Sequence, residues 1–172
     1  LRQHNLNLRS FEKDTEFVYF PLHFEPERTT NPDGGNFHDQ LLALITLRSF
    51  VPKNIKIYVK EHPSQFLLFN RGILGRSPIF YELINKLDNV FLIDIKSDNF
   101  TLIKNSNFVA TITGTVALEA SIIGKPSLIF GDAWFKGLPY VFEWNNKLIY
   151  DDIVNFDIKD NTLIKDFFIE FL

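Results

Sequence analysis

Asn107-Phe-Val-Ala-Thr-Ile-Thr-Gly-Thr-Val-Ala-Leu-Glu-Ala-Ser-Ile-Ile-Gly-Lys-Pro126 reads as a buried strand, a glycine turn, a helix and a stop. Phe108, Val109, Ala110 and Ile112 make an apolar run of strand length, and the β-branched Thr111 and Thr113 suit its end. Gly114 allows a tight turn, and Thr115 is placed to cap a helix. Val116, Ala117, Ala120 and Ile123 then recur at helical spacing. Gly124 suits a left-handed helix exit, and Pro126 cannot continue a helix. A strand feeding a helix through Thr-Gly-Thr is expected to gather free backbone N–H groups at one spot, where a phosphate can be held.

The same alternation extends outward in both directions. Glu16–Leu22, Ile55–Lys60, Val90–Ile93 and Ser127–Phe130 read as further strands. Between them, a helix capped by Asn36 is expected to run through Phe50, and another from Pro78 to Leu87. A short helix capped by Ser97 or Asp98 is expected to reach Lys104. Trp134–Trp144 reads as an aromatic-rich loop and Thr162–Leu172 as a terminal helix. Strands alternating with helices predict an α/β fold, a Rossmann-like parallel sheet with helices on both faces. Three regions are expected: a lead-in or linker over 1–16, a Rossmann-like domain over 17–150, and a helical tail over 151–172.

Composition narrows the functional classes. The chain has 172 residues, 45% of them hydrophobic, enough for one domain with a core. A net charge of −3 argues against broad binding to nucleic acid. No cysteine is present, so disulfides and thiolate–metal sites are excluded. No apolar run reaches membrane-spanning length, and the first residues do not form a signal peptide. The chain contains no methionine, and it is expected to be a piece of a longer protein.

In parallel sheets, ligands gather outside the carboxyl ends of the strands. His23, Glu61-His62-Pro63, Ser97, Thr113-Gly114-Thr115 and Gly131-Asp132 all come after expected strands. Pro63 biases His62 to an extended backbone, and a histidine there can donate to a phosphate. Glu119, four residues beyond Thr115, shares its helix face and can accept from ribose hydroxyls. Each residue also has a plain structural reading: a β–α turn for Thr113–Thr115, a packed strand-end histidine for His62, a solvated loop for His23 and an exposed helical carboxylate for Glu119. No Gly-x-x-x-x-Gly-Lys-Ser/Thr or Gly-x-Gly-x-x-Gly fingerprint occurs. His4, His23, His38 and His62 lack metal-ligand spacing, so no metal is expected.

Tyr19-Phe-Pro-Leu-His-Phe-Glu-Pro-Glu-Arg-Thr-Thr30, Gly34-Gly-Asn-Phe-His-Asp-Gln40, Tyr58-Val-Lys-Glu-His-Pro63 and Thr111–Ala120 with Gly124-Lys-Pro126 together resemble the capsule polysaccharide biosynthesis family, in order, over about residues 17 to 142. That family includes transferases of 3-deoxy-manno-octulosonic acid (Kdo) from its CMP-activated form onto a capsule lipid anchor. The resemblance implies a GT-B glycosyltransferase, with two Rossmann-like halves and the active site between them. This chain would be the C-terminal, donor-binding half, with 17–150 its nucleotide-sugar-binding domain, and the N-terminal half of the same protein would carry the acceptor site.

By that likeness His62 and His23 are the candidate catalytic residues. Glu61, His62, Ser97, Thr113, Gly114, Thr115 and Glu119 are the candidate donor-nucleotide ligands: His62 on the phosphate, Thr113–Thr115 cradling it, Glu119 at the ribose and Ser97 by the base. No cofactor is implied beyond the nucleotide-sugar donor, with CMP the expected nucleotide. The implied partners are that donor and a glycan or glycolipid acceptor, at a cytoplasmic or peripheral inner-membrane location. Two other readings stay open: a non-catalytic binding module of a capsule synthesis or export complex, and a sugar-nucleotide epimerase sharing the two-domain fold.

Overall fold

The computed structural model describes residues 8–12, 14–26, 30–67 and 75–156. Six strands form one parallel sheet: β1 Phe17–Pro21, β2 Lys56–Lys60, β3 Val90–Ile93, β4 Val109–Thr111, β5 Ser127–Ile129 and β6 Val141–Glu143. Their order is β3-β2-β1-β4-β5-β6, with every pairing parallel. The order reverses between β1 and β4, which opens a crevice at their carboxyl ends. The pairing there is narrow, with Tyr19 opposite Val109.

The helices are α1 Gln40–Phe50, α2 Ser64–Leu67, α3 Pro78–Asn85, α4 Asn99–Asn105, α5 Val116–Ile122 and α6 Tyr150–Val154. Strand alternation sends residues to two faces. Val18 and Phe20 of β1 pack with Leu44 and Leu47 of α1, Ile84 of α3 and Ile153 of α6. Phe17 and Tyr19 point the other way, onto Leu102 and Ile103 of α4 and Ala120 of α5. Helices therefore cover both faces, as the run of strand and helix signals requires.

Two local expectations change, and one alternative is decided. Helix α1 is capped by Asp39, whose side chain accepts from the Leu41 N–H, because Gly35–Phe37 form a separate 3-10 turn where Asn36 was expected to start the helix. Of the two caps considered for α4, Asp98 accepts from the Thr101 N–H at 2.8 Å. Within the stretch expected to be a loop, Val141–Glu143 adds the sixth strand beside β5. Of the expected lead-in, Arg9 donates to the Leu92 carbonyl at 2.9 Å, and Phe11 packs edge-on against Phe17 and Tyr58. The expected terminal helix over 162–172 lies outside the described residues. Among the described residues no helix is long and apolar enough to cross a membrane.

Candidate functional site

The sheet order places the loop after β1 between the loops after β2 and β4, so His23 stands between His62 and the Thr113 turn. His23 is buried, at 8% exposure. Its Nε2 lies 3.0 Å from Thr111 Oγ1 and accepts the Thr113 N–H at 3.4 Å. Thr111 Oγ1 in turn accepts the Gly114 N–H at 3.2 Å. Burial, the Arg76 guanidinium and His62 together lower the His23 pKa to about 4. At neutral pH the ring is therefore an uncharged acceptor that ties the β4–α5 turn to the β1 loop.

This arrangement alters the phosphate-holding expectation. The N–H groups of Thr113 and Gly114 are engaged inside the protein rather than free. Thr115 stands at the N-cap position of α5, but its hydroxyl makes no capping bond and the residue is exposed. Gly114 is required by space: a Cβ there would lie 2.7 Å from Thr111 Oγ1 and 3.4 Å from the His23 ring. Gly114→Ala should push the turn off His23 and destabilise the fold by about 1–3 kcal/mol. A urea melt checks the stability, and amide shifts confined to residues 111–116 and 23 check the location.

The backbone after β1 is held by side-chain amides. Gln40 accepts the His23 N–H at 2.8 Å and donates to the His23 carbonyl at 3.3 Å. Gln65 accepts the Glu25 N–H at 2.9 Å and donates to the Glu25 carbonyl at 3.0 Å. Each amide thus offers a donor and an acceptor, as a neighbouring strand would.

At the end of β2, Glu61 and His62 part company. The Glu61 carboxylate is fully buried and accepts from Arg76 Nε at 3.0 Å, Tyr81 OH at 2.7 Å and the His62 N–H at 2.8 Å. Arg76 also donates to the His23 carbonyl at 2.7 Å, and its guanidinium lies 4.5 Å over the Phe80 ring. Glu61 is thereby the centre of a buried network. His62 is partly exposed, and its Nδ1 accepts the Ser64 N–H at 3.2 Å. That bond puts the ring proton on Nε2, the nitrogen that can donate to a ligand.

On the opposite face of the sheet, Lys60 is buried at 5% exposure and reaches the Ser97 carbonyl at 2.6 Å and Asn99 Oδ1 at 2.5 Å. Tyr19 OH donates to the same Asn99 oxygen at 3.1 Å. Burial lowers the Lys60 pKa, and the nearby Asp98 and Asp94 counter it. Ser97 thus enters the site through its carbonyl, anchored by a lysine. Glu119 on α5 is exposed and acts on Tyr19 electrostatically, raising its pKa beyond what burial does, while partial burial raises its own. Glu119 accordingly lies near Tyr19.

Sequence reasoning had no role for Lys60, Arg76, Gln40, Gln65 or Asn99. For Lys60 and Glu61 a signal existed, since two charges continue an apolar strand directly. For Arg76 none did, because no regular element was expected around it. A cleft of about 760 Å3 lies one strand further along, between residues 32–37 and the ends of β5 and β6; neither His62 nor Thr115 lines it. Among the described residues no group of three or more His, Asp or Glu is arranged to hold a metal ion.

A family model described as capsule polysaccharide biosynthesis protein matches residues 2–140. The chain belongs to that family. Among solved structures, the family member resembles the Thermosulfurimonas dismutans KpsC beta Kdo 2,7 transferase at 20% identity and a TM-score of 0.59, over 80% of this chain and 41% of that one. It also resembles the beta Kdo 2,4 transferase of the same KpsC at 17% identity and a TM-score of 0.52, over 81% of this chain and 44% of that one. This member of the capsule polysaccharide biosynthesis family therefore spans about two fifths of the length of those structures and shares the fold of one part of them. A search of curated proteins finds no match.

Proposed function

We propose that this chain is the donor-binding half of a GT-B glycosyltransferase of capsular polysaccharide biosynthesis, holding a nucleotide sugar at the β1–β4 crevice. The observation that carries the reading is His62, which follows β2 at the carboxyl edge of the sheet: its Nδ1 is occupied by the Ser64 N–H, which leaves the ring proton on Nε2 for donation to a ligand. His62 donates to the donor phosphate, and the exposed Thr115 hydroxyl and the first turn of α5 complete the phosphate contact. Glu119 receives the ribose hydroxyls, and the Ser97 segment, steadied by Lys60, stands by the base. Glu61 and His23 act from behind. Glu61 accepts the His62 N–H, and His23 keeps the Thr113–Gly114 turn in register. The chemistry these groups supply is stabilisation of the departing nucleotide phosphate by fixed dipoles and a histidine N–H.

Family membership and the shared fold support the class of activity. CMP as the nucleotide and Kdo as the sugar are the finer part of the proposal. The acceptor, a glycan or glycolipid, and the half that binds it belong to the longer protein, working at the inner face of the cytoplasmic membrane.

NMR titration with CMP tests the site. CMP is expected to shift the His62, Thr115 and Glu119 resonances. His62→Ala should weaken binding by roughly 10- to 100-fold, the worth of one charge-assisted hydrogen bond. Shifts with UMP but not CMP would overturn the nucleotide assignment, and silence towards every nucleotide would overturn the reading itself.

A further inference from the structure

Two neighbouring side chains of α4 stand at the carboxyl edge of the sheet with chemistry the fold does not consume. Asn99 is exposed, yet its amide is held in one orientation. Lys60 Nζ and Tyr19 OH both meet the same atom of it, at 2.5 and 3.1 Å. An ammonium group only donates, so that atom is the amide oxygen, and the nitrogen takes the other branch. Lys60 is 5% exposed and Tyr19 fully buried, so the groups that orient the amide are themselves fixed by packing. Oδ1 is thereby used twice, while Nδ2 meets no acceptor among the described residues. Asn99 presents donors only. Next to it, the Phe100 side chain is 56% exposed, and its ring makes no ring contact among the described residues.

Tyr19 joins this pair to α5. Its ring shares a core with Leu102 of α4 and Ala120 of α5, its hydroxyl bonds Asn99, and Glu119 lies near it. A nucleoside whose ribose meets Glu119 therefore has its base beside α4. A nucleobase is a flat ring with donors and acceptors on its edge, and an exposed phenyl ring beside a fixed amide offers a surface for each. The donor-only amide also chooses between pyrimidines. Cytosine carries two adjacent acceptors, O2 and N3, whereas uracil carries an N–H donor at N3. An amide with its oxygen free could serve either base; this one would set N–H against N–H with uracil.

We propose that Asn99 selects the nucleobase, its Nδ2 donating to O2 and N3 of cytosine while Phe100 stacks on the ring. The proposal rests on the nucleotide-binding reading and names the specificity-determining residue of that same site. Its readout is the ratio of CMP to UMP affinity, whereas the nucleotide reading is tested by binding itself.

Calorimetric titration of the chain with CMP and with UMP tests it. CMP is expected to bind about tenfold more tightly, the worth of one hydrogen bond made rather than opposed. Asn99→Asp keeps one oxygen for Lys60 and Tyr19 and offers the other to the base as an acceptor, so the ratio should fall to about one or invert. The added charge acts on both nucleotides alike and leaves the ratio to report the base. Asn99→Ala, which removes the donors from an exposed position, should bring the ratio to about one. Phe100→Ala should weaken both nucleotides together by about tenfold and leave the ratio unchanged. An amide that served only to anchor α4 would be indifferent to the base. Equal affinities or a preference for UMP in the unsubstituted chain overturn the proposal. So does a CMP preference that survives Asn99→Asp and Asn99→Ala, which would leave the nucleotide reading standing. Silence towards every nucleotide overturns both.

Discussion

Arg76→Met is expected to destabilise the protein by about 3–5 kcal/mol, the range for removing one partner of a buried ion pair. The side chains concerned are 5% exposed for Arg76 and 0% for Glu61. Without the guanidinium, the carboxylate keeps the Tyr81 hydroxyl and the His62 N–H but loses its only charged partner among the described residues. The His23 carbonyl loses a donor in the same step. Urea denaturation measures the loss. Adding Glu61→Gln to Arg76→Met should recover part of it, because an amide in that place carries no uncompensated charge. A loss below about 1 kcal/mol would mean the pair is screened like a surface one. The site should suffer with the fold, since the same network holds the backbone of His62 and of His23.

The second large effect is a dependence of stability on pH set by His23. Its pKa falls from 6.5 to about 4 on folding, chiefly through burial and then through Arg76 and His62. The unfolded chain therefore binds a proton between these values that the folded protein refuses. Stability is fully present above about pH 6.5, falls as pH drops through the window, and stops falling on this account below about pH 4. The span corresponds to about 3 kcal/mol. Urea midpoints between pH 7 and pH 5, where few carboxylates yet titrate, should show the slope. His23→Gln, which retains an acceptor for the Thr113 N–H, should remove most of it. An unchanged slope in that variant would assign the effect to other groups.

The fold was legible because its signals are local and repeated. Phe108–Ile112 followed by Gly114 and the Val116–Ala120 spacing can hardly be read other than strand, turn, helix, and similar units recur along the chain. The sixth strand escaped because Val141–Glu143 is short and half-exposed, and comes directly after Tyr140, which adopts a positive φ of 65°. Nothing in its alternation separates it from an aromatic loop; it is a strand because β5 offers a free edge. Thr115 shows the reverse case. Its residue type and position announce a cap, yet its hydroxyl takes no part in one.

At the candidate site, sequence reasoning found the residues at strand ends but not their division of labour. Glu61 and His62 are neighbours in the chain, and alternation alone states that they face differently. It does not say that one enters a buried network with Arg76 and Tyr81 while the other, partly exposed, has its Nδ1 taken by the Ser64 N–H and its ring proton on Nε2.

What the sequence determined by itself is the succession of strands and helices, the parallel sheet they require, and the edge at which polar residues collect. These come from hydrophobic period, turn chemistry and proline positions, all of which act over a few residues. The tertiary structure alone decided that His23 separates His62 from the Thr113 turn, that the N–H groups of Thr113 and Gly114 are used internally, and that Arg76 pairs with Glu61. Those outcomes depend on strand order and on which groups become buried together. Desolvation then sets whether each polar atom must find a protein partner or stays available to a ligand.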